Sequence, residues 1–403
     1  MNLPIKRLGQ SEFIAMIAML FAVIAFSIDA MLPALPSIAA ELSPGAANNA
    51  QLIVTSFVLG MGLGTFVAGP LSDSFGRRRI IACGVALYCV AAVIAYLTET
   101  LETMLLARVL QGIGAAGPRV VSLALVRDLY KGRDMARVMS FAMMIFTLVP
   151  AVAPLLSTAI LTSFGWRSIF VAFILFATIS LSWLLLRQPE TLPTENRRKF
   201  HPAPLWAALK EVLSHRVIVT TIVVQSLVFG SLFGTISTIQ PGFDGVFGRS
   251  DSFPLWFAFI ALSAGLASPL NAVLVGRFGM RRMITVTLAS QAGLSLFMAA
   301  MGYAGAWPEV LAFPAFILWS IGVFGMAGLT LGNLNALALE PVGHIAGMAA
   351  SVTGSIATVL AVTLAAPIGL AFDGTTLPVT FAVAIMAMFA LVLMKTIPRS
   401  VNP

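Results

Sequence analysis

Charge is scarce in this sequence. Asp, Glu, Lys and Arg together make up 10% of its 403 residues, against 59% apolar residues. A chain with a mean hydropathy of +0.97 cannot solvate itself as a water-borne globule, which excludes the soluble classes. Cysteine is limited to Cys83 and Cys89, six positions apart in one apolar run; that spacing excludes a bridge between them and matches no metal-ligand pattern. Histidine occurs three times, always outside the centre of an apolar run. No G-x-x-x-x-G-K-[ST] phosphate loop is present. A metal centre, an intramembrane enzyme built on a nucleophile and a base, and turnover driven by ATP all lack material, so neither enzyme activity nor a cofactor is expected. Ten-residue segments of alternating polarity are missing as well, which excludes an outer-membrane barrel.

What the sequence does have is a series of solid apolar runs. A helix needs about 20 apolar residues to cross a hydrocarbon core, and only a helix satisfies its own backbone there. Such runs fall near 13–33, 50–71, 79–97, 103–125, 137–161, 166–187, 217–240, 254–275, 283–303, 310–331, 346–371 and 376–394. The first is long enough to be retained as a span rather than cleaved as a leader. Six runs precede and six follow a polar break at 188–216 that carries Pro189, Pro193, Pro202, Pro204 and the run Arg197-Arg198-Lys199. The expected organisation is an all-α membrane protein with an N-terminal six-helix bundle (1–188), a cytoplasmic linker (189–216) and a C-terminal six-helix bundle (217–403), with a central cavity between the halves.

The net charge of +8 and pI near 10.1 reflect where the basic residues lie. Of 24 Lys and Arg, all but Arg108, Arg119, Arg167 and Arg249 fall before, between or after the spans on one side. They include Lys6, Arg7, Arg77, Arg78, Arg79, Arg281, Arg282 and Arg399. By the positive-inside rule that side is cytoplasmic, both termini with it. Nucleic acid is not an expected partner. The halves also echo each other: Phe75-Gly76-Arg77-Arg78-Arg79 recurs 203 residues later as Phe278-Gly279-Met280-Arg281-Arg282, and Pro33 has a counterpart in Pro241. A duplicated six-helix unit is a known transporter plan.

Several segments carry a resemblance. Gly69-Pro70-Leu71-Ser72-Asp73-Ser74-Phe75-Gly76-Arg77-Arg78-Arg79 resembles the loop between spans two and three of the major facilitator superfamily. An acid beside a tight glycine turn and basic residues can form interhelical ion pairs and face a helix N-terminus. The resemblance assigns Gly69, Asp73, Gly76 and Arg77 to gating. Arg108-Val109-Leu110-Gln111-Gly112-Ile113-Gly114-Ala115-Ala116-Gly117 resembles the R-x-x-Q-G-x-g-a motif of that superfamily's drug:proton antiporters, which links Arg108 to proton coupling. In the fifth span, Val149 to Thr158 matches the antiporter motif only in part: Pro154 agrees, but Ala153, Ser157 and Thr158 replace glycines. Pro150 and Pro154 predict a bend there. Ser27-Ile28-Asp29-Ala30-Met31-Leu32-Pro33, Leu125-Val126-Arg127-Asp128-Leu129-Tyr130 and the stretch Ala338 to Ser351 resemble the bicyclomycin-resistance (Bcr/CflA) branch of multidrug exporters. The resemblance implies the major facilitator fold in a bacterial inner membrane and proton-driven export of a drug, antibiotic or small metabolite.

Asp29 is the acid deep within an apolar run, at a cost of about 2.5–3.5 kcal/mol on insertion scales. An apolar setting favours the neutral acid and a nearby guanidinium the charged one. Motion of Arg108 or Arg119 relative to Asp29 would then load and release a proton in competition with substrate. The alternative is a permanent Asp29–Arg bridge holding the first and fourth spans together. Arg119 follows Arg108 by three turns, about 16 Å along the same helix face. It either lines the cavity and binds an anionic or polar substrate or snorkels to the headgroups. Gln111, Gln225, Asn333 and Asn335 are polar candidates for substrate contact, with interhelical glue as the other reading. Phe146, Phe229 and Phe233 are candidates for stacking on aromatic cargo, or are core. The expected partners are a small molecule, protons and the bilayer, the chain acting as a monomer. A proton symporter or facilitator of a polar or anionic metabolite is the nearest rival function, and a nontransporting receptor a further one.

Overall fold

The computed structural model describes residues 8–197 and 201–397. Lys6, Arg7, Arg198, Lys199 and Arg399 of the basic set lie outside them. Fifteen helices follow one another: α1 (Gln10–Asp29), α2 (Leu35–Leu42), α3 (Leu52–Phe75), α4 (Arg77–Leu97), α5 (Leu101–Leu129), α6 (Gly132–Phe164), α7 (Ser168–Arg187), α8 (Pro202–Ser214), α9 (Arg216–Pro241), α10 (Phe253–Gly265), α11 (Ala267–Phe278), α12 (Met280–Tyr303), α13 (Glu309–Leu339), α14 (Ala346–Leu370) and α15 (Leu377–Thr396). Among the described residues, 11 continuous helical runs are long and apolar enough to cross a membrane. One of them, Glu309–Leu370, spans 62 residues and breaks at the non-helical Val342 into α13 and α14. The chain therefore crosses twelve times, as its apolar runs predict.

Proline explains where the first span breaks. Pro33 has no N–H and its ring crowds the preceding turn, so α1 ends at Asp29 and a 3-10 turn, Leu32–Ala34, follows before α2 continues to Leu42. Met31 N–H donates to the Ile28 oxygen, and Ala34 N–H to the Met31 oxygen, the tighter spacing of a 3-10 turn. Pro241 marks the corresponding place in the second half, where α9 gives way to a π turn over Gly242–Val246. The stretch read as a polar linker holds the 13-residue helix α8.

Contacts divide the chain into two compact units, Met1–Ala34 with Ser56–Leu205, and Leu35–Thr55 with Trp206–Pro403. In the first, α1 packs on α5, α6 and α7, and α4 on α5 and α7. In the second, α9 packs on α13, α14 and α15, and α12 on α13 and α15. The same neighbours recur in the same order, and the repeated loop recurs in backbone detail. Gly76 (φ +97°, ψ 152°) and Gly279 (φ +77°, ψ 153°) occupy the same left-handed conformation ahead of α4 and α12, where a side chain would be strained. Segment Leu35–Thr55 belongs to the second unit through the Asn48 side chain, which donates to the Leu370 oxygen at 3.1 Å and the Phe372 oxygen at 2.7 Å. It thereby satisfies carbonyls left open at the end of α14.

The glycine-rich stretch of α5 is a packing surface on two sides. A Cβ on Gly112 would stand 2.0 Å from the Phe57 carbonyl oxygen of α3, and one on Gly60 would stand 1.9 Å from the Val109 oxygen. On its other side, a Cβ on Gly114 would stand 2.6 Å from the Gly84 oxygen of α4. Backbones this close are available only to residues without a side chain.

Candidate functional site

Arg108 is completely buried (0% exposed), and the broken end of α1 explains how it is tolerated. Because Met31 N–H turns to Ile28, the Ser27 carbonyl is open to another donor. Arg108 Nη2 donates to it at 2.8 Å, while Nη1 donates to Gln111 Oε1 at 2.5 Å. The Phe57 ring lies under the guanidinium, 4.5 Å from its carbon to the centroid, with Phe173 at 6.0 Å. Both are cation–π contacts. The Ser27 hydroxyl shares a 2.6 Å hydrogen bond with the Tyr88 hydroxyl of α4. Asp29, two residues beyond Ser27, is buried at 5% exposure. Among the described residues no ion pair joins Asp29 to Arg108 or to any other cation. The Arg108 guanidinium meets the neutral Ser27 carbonyl at that helix end.

Arg119 sits one residue past Pro118 inside α5. Its Nη1 faces the Met61 sulfur at 3.5 Å, a weak acceptor, and among the described residues no carboxylate pairs with it. Phe146 is half-buried on α6. That helix carries both Pro150 and Pro154 and is continuous from Gly132 to Phe164; the Thr158 hydroxyl bonds the Pro154 carbonyl at 2.8 Å.

The loop between α3 and α4 forms a second cluster. Arg77, 7% exposed, donates to Asp73 Oδ1 at 2.5 Å, to the Ser72 hydroxyl at 2.7 Å and to Asp128 Oδ2 at 3.1 Å. It ties the end of α3 to the end of α5. Gly69 lies one turn before, its carbonyl accepting the Ser72 hydroxyl. The acid that faces the α4 N-terminus is Glu190, not Asp73: its two oxygens accept the Arg77 and Arg78 backbone N–H groups at 3.0 and 3.1 Å. A carboxylate there meets both open donors and the positive end of the helix dipole. Thr191 adds a 2.7 Å bond to Asp128. The sequence signal for Glu190 was faint, an acid after Pro189 in a stretch read as linker.

The remaining candidates lie in the second unit. Asn333 of α13 exchanges amide hydrogen bonds with Asn271 of α11, at 2.8 and 3.5 Å. The pair links α11 to α13, and Asn271 was invisible to sequence reasoning because its partner is 62 residues away. Asn335 is exposed. Gln225 is buried and its Nε2 finds no acceptor; the Thr353 hydroxyl is likewise unmatched. Phe229 and Phe233 stack on each other with centroids 5.8 Å apart and planes at 13°. Among the described residues no cluster of His, Cys, Asp and Glu has the makings of a metal site.

Comparison with known proteins places this arrangement. Residues 16–366 match the family model described as Major Facilitator Superfamily. A bicyclomycin resistance protein homolog from Haemophilus influenzae is 31% identical over 356 residues, 85% of each chain. The multidrug resistance protein MdtL of Escherichia fergusonii is 30% identical, covering 81% of this chain and 80% of its own. An uncharacterized MFS-type transporter, YdgK of Bacillus subtilis, is 28% identical over 88% of this chain and 87% of its own. Among solved structures, the partially occluded inward-open xylose transporter XylE from E. coli superposes with a TM-score of 0.72 at 15% identity, over 98% of this chain and all of that one. The human organic anion transporter MFSD10 superposes at 0.66 and 16% identity, over 96% of this chain and 100% of that one. At these identities the superpositions speak to the fold alone. With its twelve crossings, its repeated six-helix plan and a family match over most of its length, the chain belongs to the Major Facilitator Superfamily and is a multi-pass membrane transporter.

Proposed function

We propose that the protein exports small molecules, drugs or metabolites, in exchange for protons by alternating access. It does so as a monomer of the bacterial inner membrane with both termini in the cytoplasm and without chemical turnover of its cargo. The observation that carries this reading is Asp29: a buried carboxylate without an ion-pair partner among the described residues, at the broken end of a helix whose adjacent carbonyl is held by Arg108. A charged carboxylate at that depth is costly, and an ionisable residue kept there points to a function. Asp29 takes up the proton, and substrate and proton compete for it. Arg108 positions the α1 end without neutralising the acid. Arg119, which faces the Met61 thioether, supplies a cation for polar or anionic cargo, with Gln111, Phe146, Gln225, Phe229, Phe233, Asn333 and Asn335 as further contacts. The Asp73–Arg77–Asp128 cluster, with Gly69 and Gly76, serves as the gate. The bicyclomycin-resistance and multidrug-resistance names of its relatives support export as the direction.

One proton crossing 100 mV releases about 2.3 kcal/mol, enough for roughly a fifty-fold gradient of a neutral cargo. Symport is the second reading. It is favoured by Ala153, Ser157 and Thr158, which stand where the antiporter motif of α6 has glycines. Transport in proteoliposomes under an imposed pH gradient, with a lumenal pH dye and a panel of neutral, cationic and anionic antibiotics, separates the two. Antiport predicts proton counterflow on adding substrate, lost in Asp29→Asn. Co-directional flux of substrate and proton would establish symport. Coupled flux that survives Asp29→Asn would remove Asp29 as the proton site.

A further inference from the structure

Helix α8 is apolar on two opposite faces. Leu205, Ala208 and Val212 are buried. The stripe on the other side, Ala203, Trp206, Ala207, Lys210 and Leu213, is exposed, with Trp206 at 69% and Leu213 at 49%. Trp206 and Leu213, two turns apart on that side, are large apolar side chains left uncovered beside Lys210. At 13 residues the helix is too short to cross a bilayer. It is nonetheless held at membrane level: His215, in an extended conformation, is the single residue between the end of α8 and the first residue of the membrane-spanning α9. Glu211 on its flank pairs with His344 at 3.0 Å, tying α8 to the turn between the spans α13 and α14. Positive charge accompanies the stripe: Lys210 lies within it and the exposed Arg216 follows it.

We propose that the exposed face of α8 lies on the membrane leaflet bordering the basic loops and binds its anionic headgroups. Trp206 and Leu213 enter the boundary between headgroups and acyl chains, where amphipathic aromatic rings are favoured. Lys210 reaches out to the phosphates, and Arg216 adds a second positive charge that holds the helix against a negatively charged surface. Because the first unit ends at Leu205 and the second resumes at Trp206, within α8, the leaflet becomes a binding partner of the helix in which the chain passes from one to the other.

The test uses the full chain in vesicles of phosphatidylcholine, with or without phosphatidylglycerol, some with acyl chains brominated near the carbonyl end. Subtracting the emission of Trp206→Phe from that of the wild type isolates Trp206. The expected result is quenching by the brominated lipid and protection from aqueous iodide, both stronger with phosphatidylglycerol, and a hold roughly fivefold weaker in Lys210→Gln. A fluorophore on Leu213→Cys, in a Cys83→Ser, Cys89→Ser background, repeats the measurement independently of Trp206. Quenching by iodide and not by bromine in both lipids would put the face in water and overturn the proposal. Equal bromine quenching in both lipids would overturn the role of anionic headgroups. Protection from iodide that fades as the protein is diluted in the bilayer would assign the face to a second copy of the chain instead.

Discussion

Arg108 Nη2 lies 2.8 Å from the carbonyl oxygen of Ser27, so a guanidinium on α5 holds the backbone of α1 within two residues of Asp29. The contact exists because α1 tightens ahead of Pro33 and leaves that carbonyl open. It fixes the helix end that carries the acid.

Replacing Arg108 with Lys keeps the charge and removes the planar fork that reaches Ser27 and Gln111 together. A hydrogen bond to a charged group is worth about 1.5–3 kcal/mol. Arg108→Lys is expected to lower stability by about 2 kcal/mol and to reduce coupled transport more than tenfold. Thermal unfolding in detergent and the proteoliposome assay read the two effects; unchanged values in both would show the Ser27 contact to be dispensable.

Arg119 behaves differently. With a sulfur as its hydrogen-bond partner, it has little to lose structurally, and Arg119→Gln is expected to change stability by less than about 1 kcal/mol while weakening anionic or polar cargo selectively. Competition binding across the substrate panel checks this. A uniform loss over all substrates would mark Arg119 as structural.

Gly112 and Gly293 make a matched pair. A Cβ at Gly112 collides with the Phe57 carbonyl at 2.0 Å, whereas one at Gly293 meets nothing within 4 Å. Gly112→Ala is expected to cost about 3 kcal/mol by forcing α3 and α5 apart. Gly293→Ala should leave stability unchanged or raise it by up to about 1 kcal/mol. Chemical unfolding of both variants side by side decides whether the clash or the loss of a glycine matters.

Gly76 and Gly279 share a left-handed backbone, yet only Gly76 lies against the ion cluster: its Cβ would stand 2.7 Å from Glu190 Oε2, while that of Gly279 has open space. Backbone strain of about 1–2 kcal/mol is expected for Ala at either site. The additional loss in Gly76→Ala then reports the collision with the Glu190 cap, and it should shrink when the cap is already removed by Glu190→Ala, leaving Arg197 at 2.9 Å as the remaining neighbour. A double-mutant cycle on thermal stability reads this coupling; additive losses would show that the cap and the turn are independent.

The sequence alone determined the membrane character, the number of crossings and the repeated glycine turns. Each of these follows from a run length or from the chemistry of one residue and its chain neighbours. Of its many prolines, only the tertiary structure showed that the helix breaks near Pro33 and Pro241 and runs on through Pro150 and Pro154. The motif around Arg108 was legible as a place where helices meet, because small residues at that density have few other uses. Which groups meet across helices was decided only by the tertiary structure. Arg108 finds Ser27 rather than Asp29, Glu190 rather than Asp73 caps α4, Asn333 finds Asn271, and Leu35–Thr55 joins the second unit through Asn48. The physical reason is that an apolar helix carries almost no signal for its rotation about its own axis. In a chain apolar on every face, only packing against other helices selects which polar atoms come within 3 Å of each other.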